Sequence, residues 1–299
     1  ENGGNLASSI AIASIARHFE ATREGLADRP PFDVLGLPTA ARRLATAIVR
    51  ANRDVLEIAR TASRYRGMAS TVVAISPDFD QGVVHVSHVG DSRCYRMRSG
   101  RLEQLTLDHS LANDVLELRP DLSDVEAARL PRNVITRALG MLDNVRVTTR
   151  TLDMAPGDVF VLCSDGLTDA LSDDEIAEVL LAGRGVGDQA RQLIARALTE
   201  GADDNLTALV VRVDASRGVV GVPKRHATRP PPARKVPSIS PPGVGARKTV
   251  DDDDHEIVLV DDDEPEIHVL AGSPLSASGR DALSGWQRGV KRALDVLGA

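Results

Sequence analysis

The regular spacing of apolar residues stops near Asp214, and this break decides how much of the chain can form a packed domain. Upstream of it, apolar residues recur at helical spacing over 6–19 and again over 44–62, and short β-like runs such as STVVAI, VVHVSHV and DVFVLC follow. Two helical segments (172–181 and 187–198) and a last strand, LTALVVRV, complete the series. Helices at both ends with strands between them predict one α+β layered domain rather than a regular βαβ series.

The middle of this domain carries two further local patterns. The Ser99-Gly100 pair stands between the β-like runs SRCYRM and RLEQLTL, and it predicts a tight hairpin turn. A polar stretch over 111–130 has helical spacing, and the run RVTTRTLDM after it predicts another strand.

Beyond the domain at 1–214, the composition changes to two blocks of opposite charge. Residues 215–250 contain seven prolines and eight Lys or Arg without an acidic residue, and 251–266 contain ten Asp or Glu without Lys or Arg. Neither block can bury enough apolar surface to offset its chain entropy, so we predict a disordered linker over 215–272, basic and Pro-rich and then acidic. Helical spacing returns in 273–299 and predicts a C-terminal amphipathic helix that docks on a protein or, alternatively, lies on a membrane surface.

Charge and apolar content exclude several classes of partner. The formal net charge of −7 argues against nucleic acid as the main partner, because nucleic acids select basic surfaces. No apolar run approaches the length that spans a bilayer and no signal peptide is visible, so we predict a cytoplasmic protein without a transmembrane segment. Cys94 and Cys163 both lie in apolar runs, which favours buried reduced thiols over a disulfide.

A carboxylate follows the apolar run VFVLC directly. Asp165 ends this strand, Gly166 allows a tight turn, and Asp169 comes one helical turn later, so the two carboxylates share a face if a helix follows. Two carboxylates held together repel each other unless a proton or a cation lies between them, and oxygen ligands alone suit Mg²⁺ or Mn²⁺. The alternative is that Asp165 only caps a helix and that Asp169 is solvated.

Two more strand ends carry carboxylates in the same way. Asp91 follows the apolar strand VVHVSHV, with Gly90 before it and Arg93 after it. Asp204 and Asn205 come immediately before the last strand. Because loops at strand ends commonly build binding sites, three such positions in one domain favour a common metal site over chance.

These stretches resemble motifs of a known family. The domain is similar to the metal-dependent serine/threonine protein phosphatases of the PPM (type-2C) family, in their bacterial form, along residues 6–214. Five stretches carry the resemblance in the family's order: GMASTVVA, HVGDSRCYRMRSGRLEQLTLDHS, RNVITRALG, MAPGDVFVLCSDGLTDALSDDEI and GADDNLTALVVRV. The resemblance implies a four-layer α-β-β-α sandwich, in which helices cover two facing antiparallel sheets and a dinuclear Mg or Mn site lies at one end.

The resemblance also assigns residues. Asp165 and Asp204 match the ligands of the catalytic metal pair, and Asp91 and Asp169 match ligands of a third, weaker ion seen in many members. The implied chemistry is attack of a metal-activated water on the phosphorus of phosphoserine or phosphothreonine in a protein substrate. The family further implies that the enzyme opposes a cognate kinase in bacterial signalling.

Other motif residues are expected to support this site. His109, in the DHS triplet, is interpreted as a satisfied structural histidine rather than as a proton donor. Arg93 and Arg137 are expected to order loops through hydrogen bonds. Thr136 and Asn205 are expected to satisfy backbone groups near the metals.

The front of the family pattern is missing from this sequence. The family opens with an RxxNxD-type strand and a DGxGG motif, each with a metal-ligating Asp, and usually carries a phosphate-binding Arg. We therefore expect an N-terminally truncated enzyme that lacks its first strand or strands and is inactive and poorly stable as it stands. The alternative is a catalytically dead pseudophosphatase that acts as a regulatory binding module, and the residues upstream of Glu1 would distinguish the two.

Overall fold

Helices and strands account for most of the residues that the computed structural model describes, which are 2–23, 38–131, 133–183, 185–214, 256–258 and 267–271. The helices are α1 Asn2–Ala21, α2 Thr39–Thr61, α3 Leu111–Leu118, α4 Asp124–Ala127, α5 Asp165–Ala170, α6 Asp173–Ala182 and α7 Val186–Thr199. The strands are β1 Val72–Asp78, β2 Val83–Val89, β3 Arg93–Arg98, β4 Arg101–Gln104, β5 Thr148–Asp153, β6 Val159–Cys163, β7 Thr207–Arg212, β8 Glu256–Val258 and β9 Ile267–Ala271.

The described strands form two antiparallel sheets. One sheet has the order β1-β2-β5, and the other has the order β4-β3-β6-β7-β9-β8. Strand β6 lies in the centre of the second sheet, with Cys163 opposite Arg93 of β3 and opposite Ala208 of β7. This register brings the end of β6 next to the starts of β3 and β7.

One of the three apolar layers lies between the two sheets. Strand β6 shows why, since every residue of VFVLC is buried and its side chains alternate between two apolar layers. Phe160 and Leu162 pack toward the other sheet, whereas Val161 and Cys163 pack with helices α6 and α7. The layer between the sheets contains Val73, Val84, Val86, Cys94, Leu105, Phe160, Leu162, Leu209 and Val213.

Helices α1 and α2 cover the outer face of the three-stranded sheet. Alanines at the contact, such as Ala7, Ala47 and Ala51, are fully buried and let the two helices approach closely, while Ile48 and Val55 fill the space above the sheet. Together with α6 and α7 on the other side, these layers confirm the four-layer α-β-β-α sandwich.

Local predictions in the middle of the domain have different outcomes. The hairpin turn is confirmed, since Ser99 and Gly100 join β3 to β4 with φ angles of 51° and 77°. The prediction of one helical stretch over 111–130 is wrong, because two short helices, α3 and α4, occupy it. The physical reason is a second helix start, where Ser123 and Glu126 form a capping box.

The predicted linker also differs from the structure at eight residues. Strand β9 pairs with β7, with Ala271 opposite Thr207, and β8 pairs with β9. An open edge of β7 offers unpaired N–H and C=O groups, and the β-branched residues of β8 and β9 are suited to pair there. The other residues of 215–272, and the helix predicted over 273–299, lie outside the described residues.

Two further sequence predictions concern the cysteines and membrane-spanning segments. Cys94 and Cys163 are both buried and free, as predicted. Within the described part of the chain, no helix combines the length and the apolar character that a membrane crossing requires.

Candidate metal centre

Three of the four predicted carboxylates lie at one edge of the six-stranded sheet. Asp91 stands two residues before β3, Asp165 stands two residues after Cys163, and Asp204 precedes β7. Strand β6 is antiparallel to both β3 and β7, so the end of β6 and the starts of β3 and β7 meet at the same edge. The fourth, Asp169, follows on α5, one helical turn after Asp165 and on the same face.

A hydrogen-bond bridge joins α5 to the loop before β7. The Ser164 hydroxyl donates to the carbonyl of Asn205 at 2.9 Å and accepts from the backbone N–H of Thr207 at 3.1 Å. This bridge fixes the start of α5 against the residues that follow Asp204. Asp165 and Asp204 are therefore held on neighbouring backbones.

Gly166 has a different role from the tight turn that its sequence position indicates. It is a buried residue of α5, and a Cβ at this position would lie 2.7 Å from the carbonyl oxygen of Asn205. The glycine is thus required for close approach between α5 and the Asp204 loop. Chain reversal does not depend on it.

Burial first, and neighbouring carboxylates second, raise the pKa of three of these aspartates. Burial, followed by the charge of Asp165, raises the pKa of Asp91 to about 6. Burial and then Asp204 raise the pKa of Asp165, and burial and then Asp165 raise the pKa of Asp169. Asp91, Asp165 and Asp169 therefore lie in an environment with an excess of negative charge, to which Asp204 contributes, and a divalent cation would offset this charge.

The free oxygens of this cluster suit a hard cation. Oδ1 of Asp91 is buried and has no hydrogen-bond partner, and such an atom is costly unless a ligand reaches it. Oδ1 of Asp165 and of Asp204 accept from the neighbouring backbone N–H groups of Gly166 and Asn205, at 2.9 and 2.7 Å. The donor chemistry therefore fits Mg²⁺ or Mn²⁺.

The coordination sphere is incomplete among the described residues. Within them, no group of three or more His, Cys, Asp or Glu side chains is arranged to hold a metal ion. The assignment of the four aspartates as metal ligands therefore stays a prediction.

Comparison with known proteins identifies the family of this chain. Residues 9–214 match the family described as Stage II sporulation protein E (SpoIIE). The chain belongs to the PPM-type serine/threonine protein phosphatases. The predicted family and enzyme class are thereby confirmed.

Relatives with this activity in their names share the domain. The serine/threonine phosphatase stp of Listeria monocytogenes serovar 1/2a is 34% identical over 175 residues, which are 58% of this phosphatase and 68% of the relative. PhpP of Streptococcus pneumoniae serotype 2 is 31% identical over 150 residues, covering 50% and 60% of the two chains.

Solved structures agree with the fold. The Mycobacterium tuberculosis phosphatase PstP/Ppp superposes with a TM-score of 0.58 at 30% identity, covering 70% of this phosphatase and 82% of that chain. The S. agalactiae serine/threonine phosphatase gives a TM-score of 0.60 at 31% identity, with coverage of 72% and 83%.

His109 of the phosphatase is a structural histidine, as expected. Its Nδ1 accepts from the backbone N–H of Gly90 at 3.1 Å, so Nε2 carries the hydrogen and donates to the Thr148 hydroxyl at 2.8 Å. The ring also stacks on His88, with 4.5 Å between centroids. His109 thus fixes the Gly90-Asp91 turn, and both of its nitrogens are occupied.

The other predicted supporting residues contribute different kinds of hydrogen bond. Arg137 donates to Asp114 of α3 at 3.4 Å, which agrees with a loop-ordering role. Asn205 contributes through its main chain, as described above. Thr136 also contributes through its main chain, since its N–H donates to the carbonyl of His109 at 2.8 Å, whereas its buried hydroxyl has no hydrogen-bond partner.

Several residues of the phosphatase site were missed by sequence reasoning. Ser164 bridges two backbones. The hydroxyl of Ser92, the residue after Asp91, shares a buried hydrogen bond of 2.8 Å with the hydroxyl of Thr71. The hydroxyl of Tyr95 donates to Asp173 at 3.1 Å. The i, i+2 spacing of Arg93 and Tyr95 could have indicated a common face of β3. Nothing in the sequence marks the partners of the other groups, since these depend on strand register.

We expect His109 to make the phosphatase lose stability on acidification. Burial, and then the neighbouring His88, lower the pKa of His109 to about 3. Because this pKa lies below the unfolded value of about 6.5, the folded state binds fewer protons, and stability present above that value is lost as the pH falls toward 3. Between pH 7 and 5 the loss from this residue is about 2 kcal/mol.

Urea midpoints at both pH values measure this effect. Asp91, Asp165 and Asp169 act in the opposite direction because their pKa values are raised. The comparison is therefore between the wild type and His109→Gln, which lacks the titrating ring but keeps the aspartates. Parallel pH dependences in the two proteins would show that His109 contributes none of it.

Proposed function

We propose that this phosphatase hydrolyses phosphoserine and phosphothreonine in protein substrates with Mn²⁺ or Mg²⁺ held by Asp165 and Asp204. A third ion is assigned to Asp91 and Asp169. The observation that carries the proposal is that Asp91, Asp165 and Asp204 lie at one sheet edge, with Asp169 one helical turn after Asp165 on α5 and a buried oxygen of Asp91 without a hydrogen-bond partner.

A relative supports the choice of ion. One solved structure of the catalytic domain of PstP is described as a complex with 2 manganese ions, and it superposes with a TM-score of 0.54 at 30% identity over 69% of this chain and 79% of that one. Carboxylate oxygens without histidine or thiolate ligands suit such ions.

The chain's own residues would hold the metal ions and orient the ligand oxygens. Asp165 and Asp204 would keep their charged oxygens directed at the ions, because the Ser164 bridge fixes their backbones. Bound divalent ions lower the pKa of water and neutralise phosphoryl oxygens. His109 has no role as a proton donor, since both nitrogens are engaged. In the cell, the enzyme would oppose a serine/threonine kinase, and its cytoplasmic location stays a prediction.

A catalytically dead regulatory module is the second candidate. The incomplete coordination sphere among the described residues favours it. Such a pseudophosphatase would use the same sandwich to bind a partner.

Phosphate release from a phosphothreonine peptide, with millimolar Mn²⁺, tests the two candidates. The protein comprising residues 1–299 is compared with a longer version that carries the family's RxxNxD and DGxGG motifs upstream. Activity that appears in the extended version and disappears with EDTA supports the enzyme. Absence of activity in both, in proteins that unfold cooperatively, supports the regulatory module.

A further inference from the structure

Helix α3 has apolar side chains on an exposed face. Leu111, Val115 and Leu118 stand at positions i, i+4 and i+7 and therefore share one face of the helix. Leu118 is 80% exposed, and Leu111 is exposed as well. Val134 is exposed next to them, since its carbonyl accepts from the N–H of Leu111 at 2.8 Å. These four residues are termed the α3 stripe, and such an amphipathic face is typical of a helix that packs against a partner.

The start of α3 is fixed beside the carboxylate edge of the six-stranded sheet. The N–H of His109 donates to the carbonyl of Gly90 at 2.9 Å, and the side chain of Asn113 donates to the carbonyl of Asp108 at 2.8 Å. Arg93, at the start of β3, donates to the carboxylate of Asp108 at 2.8 Å, which agrees with its predicted loop-ordering role. The α3 stripe therefore begins next to the turn that precedes β3.

The C-terminal sequence has a pattern that could cover this stripe. Residues 272–299 lie outside the described residues, but their sequence places apolar residues at helical spacing, at Leu283, Trp286, Val290, Leu294 and Leu297. Gly285 and Gly289 lower the helix propensity of the same segment. A helix over 283–297 therefore depends on a surface against which its apolar face can pack.

Strand β9 brings the chain to the correct edge of the sheet. Its last residue, Ala271, lies opposite Thr207 at the start of β7, which is at the carboxylate edge. Strand β3 is three positions from β9 in the sheet, or about 14 Å away. Residues 272–282 can span about 36 Å when they are extended. The segment that begins at Leu283 can therefore reach the α3 stripe of the same molecule.

The two surfaces carry opposite charges. Residues 111–126 contain five acidic residues and one arginine, whereas 286–294 contain three basic residues and no acidic one. Opposite charges attract each other over a Debye length, about 10 Å at 0.1 M salt. The charges would thus steer the segment toward α3, and its apolar residues would supply the contact.

We propose that the α3 stripe is the docking site of the chain's own segment 283–297, which packs there as a helix beside the carboxylate edge. The occupant is the same molecule, because the chain leaves β9 within reach of α3 and carries the complementary charge. This interface does not depend on the proposed metal chemistry.

Trp286 reports the docking directly, because it is the single tryptophan of the chain. Acrylamide quenching of its fluorescence is measured in the protein of residues 1–299, and we expect the wild type to be quenched less than the same protein unfolded in urea. Leu118→Asp should lower the docking equilibrium constant roughly 10- to 100-fold, which is the loss expected when a leucine side chain is no longer buried. Quenching should then rise toward the value in urea.

Two further variants make this result specific. Leu111→Asp, at the other end of the stripe, should act in the same way, and Asp is well tolerated in the first turn of a helix. Leu181→Asp is the matched control, since Leu181 is a 62% exposed leucine on α6, and it should leave the quenching unchanged. Cooperative urea unfolding verifies that each variant is folded.

Three results would overturn the proposal. If Trp286 is quenched as readily in the folded wild type as in urea, the segment does not dock, and shielding only by phosphatidylserine-containing vesicles would assign it to a membrane surface. Equal shielding in the wild type and in both stripe variants would place the segment on another face. Shielding that disappears on dilution would assign the contact to a second copy of the chain.

Discussion

Asp165→Asn is expected to abolish metal-dependent phosphatase activity in the version that carries the upstream motifs, by roughly 1000-fold or more, since a metal ion contributes several kcal/mol to transition-state stabilisation. The effect is large because the charge of Asp165 interacts with each of the other three carboxylates. Its charge raises the pKa of both Asp91 and Asp169, and Asp204 raises its own. The measurement is turnover of a phosphothreonine peptide against Mn²⁺ concentration.

The same substitution should leave the fold intact and slightly more stable without metal. Asn retains an oxygen that can accept from the N–H of Gly166, and it removes one of the repelling charges. The Tm of Asp165→Asn in EDTA is therefore expected to equal or exceed that of the wild type. A lower Tm would indicate that lost activity reflects misfolding.

Two other variants bracket this result. Asp169→Ala should reduce activity and raise the Mn²⁺ requirement without abolishing turnover, because it is assigned to the weaker ion. Asp174→Asn, which removes an exposed carboxylate in the first turn of α6, should leave activity unchanged. Near-normal turnover in Asp165→Asn would refute the metal assignment.

The carboxylate positions could be predicted because strand ends are visible in the sequence. VFVLC is apolar throughout and stops at Ser164-Asp165, and the structure buries all five residues and starts α5 at Asp165. Asp91 and Asp204 follow the same logic. A buried strand that ends in a charged residue locates a sheet edge without any knowledge of tertiary contacts.

The contacts between these positions could not be predicted in that way. Ser164 reaches Asn205, and Tyr95 reaches Asp173, only because β3, β6 and β7 pair in one particular register. Register depends on the packing of both faces and on distant strands, and a single sequence does not specify it. The role of Gly166 belongs here too, since its neighbour lies in another loop.

One error was avoidable from the sequence. The stretch over 111–130 contains Pro120, and Ser123 stands three residues before Glu126, which is the pattern of a capping box. Those signals mark the end of one helix and the start of another. Helical periodicity alone hid this break.

Gly90→Ala is expected to destabilise the phosphatase by about 2–6 kcal/mol, because a strained backbone and an overpacked contact each cost about 1–3 kcal/mol. Gly90 has a φ of 107°, and a Cβ there would lie 2.4 Å from Cγ2 and 2.7 Å from Cβ of Thr71. The turn cannot move away, since its N–H donates to His109 Nδ1 and its carbonyl accepts from the His109 N–H at 2.9 Å. Urea unfolding measures the loss.

Gly100 is the control that separates the cost of a positive φ angle from the cost of the steric clash with Thr71. It also has a positive φ, 77°, but a Cβ there would meet nothing within 4 Å, so Gly100→Ala should cost only about 1 kcal/mol. Adding Thr71→Ser to Gly90→Ala removes the colliding methyl group and keeps the hydroxyl that bonds Ser92, so it should recover part of the lost stability. Equal costs at the two glycines, or no recovery with Thr71→Ser, would show that the contact between Gly90 and Thr71 does not determine how the Asp91 turn is held.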